Sequence, residues 1–196
     1  LTLPDGSRAW LAPRTRVTAR FDPLGRHVSL HEGQATLQVA HREDKFSVDV
    51  GGVRILDRGT LFDVRKRGEE PMSVVLAEGS IEVRDLKTGK LLAVPAPGER
   101  VTVDGGRVAV ARADAAAAIA WRSGRLVFND WTLQSALSAF AEQGAPSVTL
   151  DGKGLEKLRI SGVYSAQDIE SFLSALAEIH PVRWHRTRQG YEVAAE

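Results

Sequence analysis

The chain has 196 residues, 43% of them hydrophobic and 26% charged, with a formal net charge of +1. Such a balance argues for an ordinary globular protein and against a binder of nucleic acid or of a membrane surface. The absence of cysteine excludes disulfides, thiolate catalysis and cysteine-based metal sites. No apolar run of about 18 residues is present to span a membrane, and no signal peptide is visible. The chain opens on Leu1 rather than Met, which reads as a piece of a longer protein.

Residues 1–112 read as an all-β repeat domain. Short alternating strands are broken by glycine, in LPDGSRAWL (Gly6), LHEGQATLQV (Gly33), LDRGTLFDV (Gly59), LAEGSIEV (Gly79) and PAPGERVTV (Gly98). Each glycine suits a turn with positive φ. After it, period-two alternation places Ile81 and Val83, or Val101 and Val103, on one face. Recurrence every roughly 20–27 residues suggests stacked units covering one another's apolar edges, a twisted β-solenoid; a β-sandwich is the alternative. Asp5, Glu32 and Glu78 precede three of these glycines, where a carboxylate bonds turn amides. Arg54, Arg58, Arg65 and Arg67 read as a solvated face.

Residues 113–120 form an Ala-rich linker or short helix. Residues 121–196 then read as a small α+β domain built by duplicating a βαβ unit. Leu137–Glu142 (LSAFAE) recurs as Leu173–Glu178 (LSALAE), and Val127-Phe128 as Val163-Tyr164. Leu133, Ala136, Leu137, Phe140 and Ala141 share one helix face, with Asp130 as the expected N-cap. Ile169, Phe172, Leu173, Leu176 and Ala177 repeat the spacing behind a capping-box-like Ser165-Ala-Gln-Asp168. Val182–Arg186 and Gly190–Ala194 close as a hairpin.

Enzyme signatures are missing: no G-x-S-x-G, H-E-x-x-H, P-loop or G-x-G-x-x-G occurs. The histidines, His27 and His31 among them, read as surface residues, and no metal site or cofactor is expected. Gly59-Thr60 stands apart. In a strained backbone the Thr60 hydroxyl can attack the Gly59 carbonyl and give a hydrolysable ester; in the ordinary reading the pair is a turn followed by a strand residue.

In order and spacing, LPDGSRAWLAPRTRV, RHVSLHEGQATLQVAHREDKFSVDV, ILDRGTLFDVR, VVLAEGSIEV and APGERV resemble the FecR-type periplasmic domain. The tail, with WRSGRLVFNDWTLQSALSAFAE, is similar to the short N-terminal (STN) domain of secretins and TonB-dependent transporters. The resemblance implies the periplasmic portion of a single-pass inner-membrane regulator of an extracytoplasmic-function sigma factor. Its partner would be the signalling domain of a TonB-dependent outer-membrane transporter occupied by a ligand of the iron-chelate type, with the sigma factor reached only through a cytoplasmic segment outside these residues. Some members of the family self-cleave at the Gly-Thr that Gly59-Thr60 matches. The β domain would be a stiff spacer, and the tail would dock the transporter by strand addition. Phe128, Trp131, Tyr164, Trp184 and Tyr191 are the expected partner-binding residues, aromatic side chains being enriched at binding hot spots. The rival reading is an envelope β module that binds glycan or assembles with a secretin-type complex.

Overall fold

Four of the repeat glycines sit where the chain passes from one β arm to another. The computed structural model describes residues 1–22, 25–57 and 59–196. It is mainly β, with 52% strand and 17% helix, and divides into two units, Leu1–Ile119 and Ala120–Glu196.

In the first unit eleven strands form one continuous sheet, in the order β11-β10-β7-β6-β3-β4-β5-β8-β9, with β1 and β2 also on β3. The strands are β1 (Arg8–Leu11), β2 (Arg16–Asp22), β3 (Gly25–Gln38), β4 (Phe46–Val50), β5 (Val53–Asp57), β6 (Leu61–Lys66), β7 (Met72–Glu78), β8 (Ile81–Asp85), β9 (Leu91–Ala93), β10 (Glu99–Asp104) and β11 (Arg107–Arg112). The fourteen-residue β3 belongs to both arms. Its first half pairs with β2 and β4, and its second half, from Gly33, pairs with β1 and β6. Hairpins then alternate between the arms: β4–β5, β6–β7, β8–β9, β10–β11. Gly59, Gly79 and Gly98 mark three of the four later crossings, the one from β3 to β4 having no glycine, while Gly51-Gly52, Gly68, Gly89 and Gly105-Gly106 lie in the hairpin turns.

The two arms face each other across one core. Val28, Phe46, Val48 and Ile55 come from the first arm, Leu37, Phe62, Val74 and Val101 from the second, all of them buried. Period-two alternation produces this directly: β4 and β5 bury every other residue, and the intervening side chains point outward. Each fully buried aromatic or aliphatic side chain contributes about 1.5–3 kcal/mol. Apart from the parallel β3–β4 pair, strand pairing in this unit is antiparallel. The unit is thus built mostly of antiparallel hairpins carried on one nearly closed sheet. The repetition in sequence reflects the stepwise advance of hairpins, β5 pairing with β8 and β7 with β10.

Of the three acidic residues placed before glycines, Asp5 bonds its turn, its Oδ1 accepting from the Ser7 amide at 3.0 Å. Glu32 instead forms a surface pair with Arg16 at 3.7 Å. The arginines do not share one face. Arg54 holds Asp49 through two 2.7 Å bonds on the first arm, and Arg65 meets Glu70 at 2.9 Å on the second. Arg58 lies outside the described residues.

The Ala-rich stretch forms α1 (Ala115–Ile119) and a 3-10 turn over Ala120–Ser123. The second unit holds β12 (Arg125–Thr132), α2 (Leu133–Glu142), β13 (Ser147–Asp151), β14 (Arg159–Ser165), α3 (Ile169–Ile179), β15 (Val182–Thr187) and β16 (Gly190–Ala195). β12 pairs antiparallel with β14, while β13 runs parallel to β16 and β15 antiparallel to it. Val127 lies opposite Val163, and the flanking pairs Leu126–Tyr164 and Phe128–Gly162 exchange when positions 36 apart are interchanged. Between the elements Phe128, Phe140, Phe172 and Tyr164 stack at centroid distances of 4.8–6.3 Å.

Both helix starts differ from expectation. Asp130 sits in a bulge of β12 at φ 55°, and the N-cap of α2 is Thr132, whose Oγ1 accepts from the Ser135 amide at 3.2 Å. For α3 the N-cap is Asp168 itself, accepting from the Ser171 amide at 3.0 Å, not Ser165. In each case β pairing extends beyond the strand seen in sequence and delays the helix. Ala141, expected on the buried face, is exposed, and Ala139 is buried instead.

Candidate functional site

The Gly59-Thr60 peptide lies in the wall of a cleft of about 470 Å³ on the first unit, lined among others by His41, Asp57, Ser80 and Glu82. The chain reaches it at the crossing from β5 to β6. Asp57 closes the turn: its carboxylate is buried, and its Oδ1 accepts the Gly59 N–H at 2.7 Å. Beyond it the Thr60 carbonyl accepts the Val39 N–H at 2.8 Å. The peptide is thus held from both sides by bonds from different strands.

Gly59 has φ 144°, a conformation other residues rarely adopt. Its open face abuts His41, so that a Cβ there would lie 2.7 Å from His41 Nδ1 and 2.9 Å from His41 Cα. Gly79, from the next crossing, closes the other side. A Cβ on it would lie 2.5 Å from Thr60 Cγ2 and 3.0 Å from the Gly59 carbonyl oxygen. Three segments distant in sequence therefore converge on one peptide bond. The Thr60 hydroxyl is buried with no hydrogen-bond partner among the described residues. Leaving such a group unmatched costs about 1–3 kcal/mol, and a buried polar group without a partner calls for an explanation, of which a chemical role is one.

The segment carrying His41 is itself anchored. Arg26, 3% exposed, donates to Asp5 at 2.8 Å and to the Ala40 carbonyl at 3.1 Å, reaches the Asp44 carbonyl, and pairs with the Asp44 carboxylate at 3.1 Å. Burial alone would raise the Asp5 carboxyl pKa. The hydrogen bonds from Ser7 and Arg26, with the Arg26 charge, outweigh it and hold the group below the ordinary carboxylate range. Ser7 Oγ accepts the Ala40 N–H at 2.9 Å, tying the first turn to the same segment.

Sequence reasoning singled out Gly59 and Thr60 but not His41, Asp57 or Gly79 as their neighbours. The spacing Asp57-x-Gly59 is a local turn signal for the first of these contacts. Nothing local reports His41 or Gly79, because β pairing brings them in.

The five aromatics of the tail are in the second unit. Phe128 and Tyr191 are buried. Trp131, Tyr164 and Trp184 are half-buried and keep exposed surface. Phe128 joins Trp131 at 5.2 Å and Tyr164 at 5.7 Å between ring centroids, while Trp184 stacks edge-on with Tyr191 at 5.8 Å. Tyr191 donates from its hydroxyl to Glu170 at 2.7 Å; that bond, with burial, raises its pKa. The five form two groups, one on the β12–β14 sheet and one on the β15–β16 hairpin. Among the histidines, His27 meets Ser47 at 2.8 Å and His31 meets Thr18 at 3.0 Å.

Residues 1–82 match a family described as FecR protein. That segment spans the strands up to β8 and includes Gly59, Thr60 and Gly79. At the level of solved structures the chain is similar to two crystal structures of a candidate anti-sigma factor from Parabacteroides distasonis ATCC 8503. The TM-scores are 0.83 and 0.79 at 24% and 23% identity, covering 100% of this chain and 93% of each of those chains. At such identity the likeness is one of fold. No curated protein matches the chain. Among the described residues no helix is long and apolar enough to cross a membrane.

Proposed function

We propose that the chain is the sensing portion of a transmembrane sigma-factor regulator, placed in the periplasm. The observation that carries this reading is the FecR match over residues 1–82, supported by the fold shared with a candidate anti-sigma factor. On this reading the second unit docks the signalling domain of a TonB-dependent outer-membrane transporter, and occupancy of that transporter by a ligand of the iron-chelate type is relayed inward. The sigma factor is reached through a cytoplasmic segment outside these residues. Trp131, Tyr164 and Trp184 are the aromatic side chains with surface left to give a partner, and Phe128 and Tyr191 support them from beneath. Binding of the purified signalling domain to the intact chain, to Trp131→Ala and Trp184→Ala variants and to residues 1–119 tests the assignment. The variants should weaken binding and the truncation should abolish it; equal binding by residues 1–119 refutes tail docking.

The same reading includes self-cleavage at Gly59-Thr60. Thr60 Oγ1 attacks the Gly59 carbonyl carbon, a C–O bond forms, the C–N bond breaks, and the hydroxyl proton ends on the Thr60 nitrogen. Water then hydrolyses the ester, leaving a Gly59 carboxylate and a free Thr60 hydroxyl. The buried, unpartnered hydroxyl and the left-handed glycine before it support the step.

A further inference from the structure

One end of the first unit's sheet is the edge strand β11. All six residues of β11, Arg-Val-Ala-Val-Ala-Arg, are exposed. By register Val110 lies opposite Val101 and Val108 opposite Val103, so both project on the core side of the second arm. Val101 is fully buried, yet Val108 and Val110 are 36% and 48% exposed. The reason is that the first arm runs out: β9 has three residues, and no further strand is hydrogen-bonded beyond it among the described residues. Leu91 and Val94, at that arm's end, are likewise 46% and 56% exposed. The two arms thus finish on uncovered apolar residues beside an open backbone edge.

We propose that β11 is a docking edge for an extended segment of a partner protein, apolar at alternate positions and acidic at its ends. The free N–H and C=O groups of an edge strand call for a β-strand. The pattern of β11 calls for apolar side chains, because the four residues between its arginines are Val, Ala, Val and Ala. In contrast, the edge strand β2 carries Thr18 and Arg20 within its length, the usual protection against strand addition. The charge comes from Arg107 and Arg112, both exposed and neither in an ion pair among the described residues. A second copy of this chain is disfavoured by the same residues. Full-length antiparallel pairing of β11 with itself sets Arg107 opposite Arg112 twice, and parallel pairing sets each arginine against its equivalent. An acidic strand reverses that repulsion. This surface lies on the first unit and is independent of tail docking, so either can fail without the other.

The test uses the intact chain and a labelled six-residue peptide, capped at both termini, with glutamate at each end and threonine and valine alternating between. Anisotropy should report saturable binding that weakens with salt. Replacing the glutamates with lysine, or using the chain variant Val110→Lys, should weaken it by at least about tenfold. Hydrogen exchange should slow at β11 amides when the peptide is bound. Absence of binding, or equal binding by the lysine peptide and by Val110→Lys, overturns the proposal. Protection of β11 that grows with protein concentration alone also overturns it, making a second copy the occupant.

Discussion

Gly79 and Thr60 are packed so closely that the smallest side chain at position 79 would lie 2.5 Å from Thr60 Cγ2. The two residues sit at successive crossings between the β arms, and the contact fixes the threonine on which the proposed chemistry depends. Gly79→Ala adds both this clash and a side chain at φ 88°. It should destabilise the protein by about 3 kcal/mol or more, read by urea unfolding. Thr60→Ser removes Cγ2 and should recover about 1 kcal/mol of that loss in the double variant. Strict additivity would show that the contact with Thr60 Cγ2 contributes nothing to the loss.

Self-cleavage makes a simple demand on intact mass. The unaltered protein should yield two fragments divided between Gly59 and Thr60, Thr60→Ala a single species, and Thr60→Ser the two fragments again. A single species from the unaltered protein removes the proposed chemistry.

Acid should loosen the anchor beneath the cleft. The folded pKa of Asp5 lies below its ordinary value, so its stabilising contribution is fully present above the ordinary carboxylate range. That contribution is lost as pH falls below about 4 and through the folded value. Asp5→Asn should lower the melting temperature at neutral pH and flatten its decline on the acid side. Asp44 still pairs with Arg26 in the variant, so the loss should fall below the roughly 3–5 kcal/mol of a buried charge left with no partner. An unchanged acid profile in the variant would place the transition elsewhere.

The start of α2 offers a direct comparison of two candidate caps. Thr132→Ala should cost about 1 kcal/mol, since Thr132 Oγ1 is the acceptor for the Ser135 amide. Asp130→Gly should be neutral or stabilising, because glycine tolerates φ 55° and the backbone bonds of Asp130 to Ser161 and Arg159 survive the change. Thermal unfolding of the two variants separates the roles, and a larger loss at Asp130 would restore it as the cap.

Much of the architecture was legible in sequence because it depends on short-range regularities. Alternation at Phe46, Val48 and Val50 marks a buried strand face wherever that strand lies. The helix spacing at Leu133, Ala136, Leu137 and Phe140 likewise marks a buried stripe. What was not legible depends on pairing. Asp130 looks like a cap, and only the extension of β12 against β14 as far as Thr132 moves the helix start. Phe128 looks like a hot spot, and only the rings of Phe140 and Phe172 show that it is core.

The Gly59-Thr60 peptide divides the two kinds of knowledge most clearly. The amino-acid order alone determined that a threonine follows a glycine at a turn, that β repeats precede a smaller α+β tail, and that cysteine chemistry is absent. Tertiary structure decided that His41 and Gly79 enclose that peptide, that Asp57 and Val39 hold it, and that the Thr60 hydroxyl is buried without a partner. It also decided that β11 is left as an open edge. The physical reason is range. Backbone conformation and side-chain periodicity are set by neighbours in sequence, whereas burial, satisfaction of a hydroxyl and exposure of an edge depend on which distant strands pair.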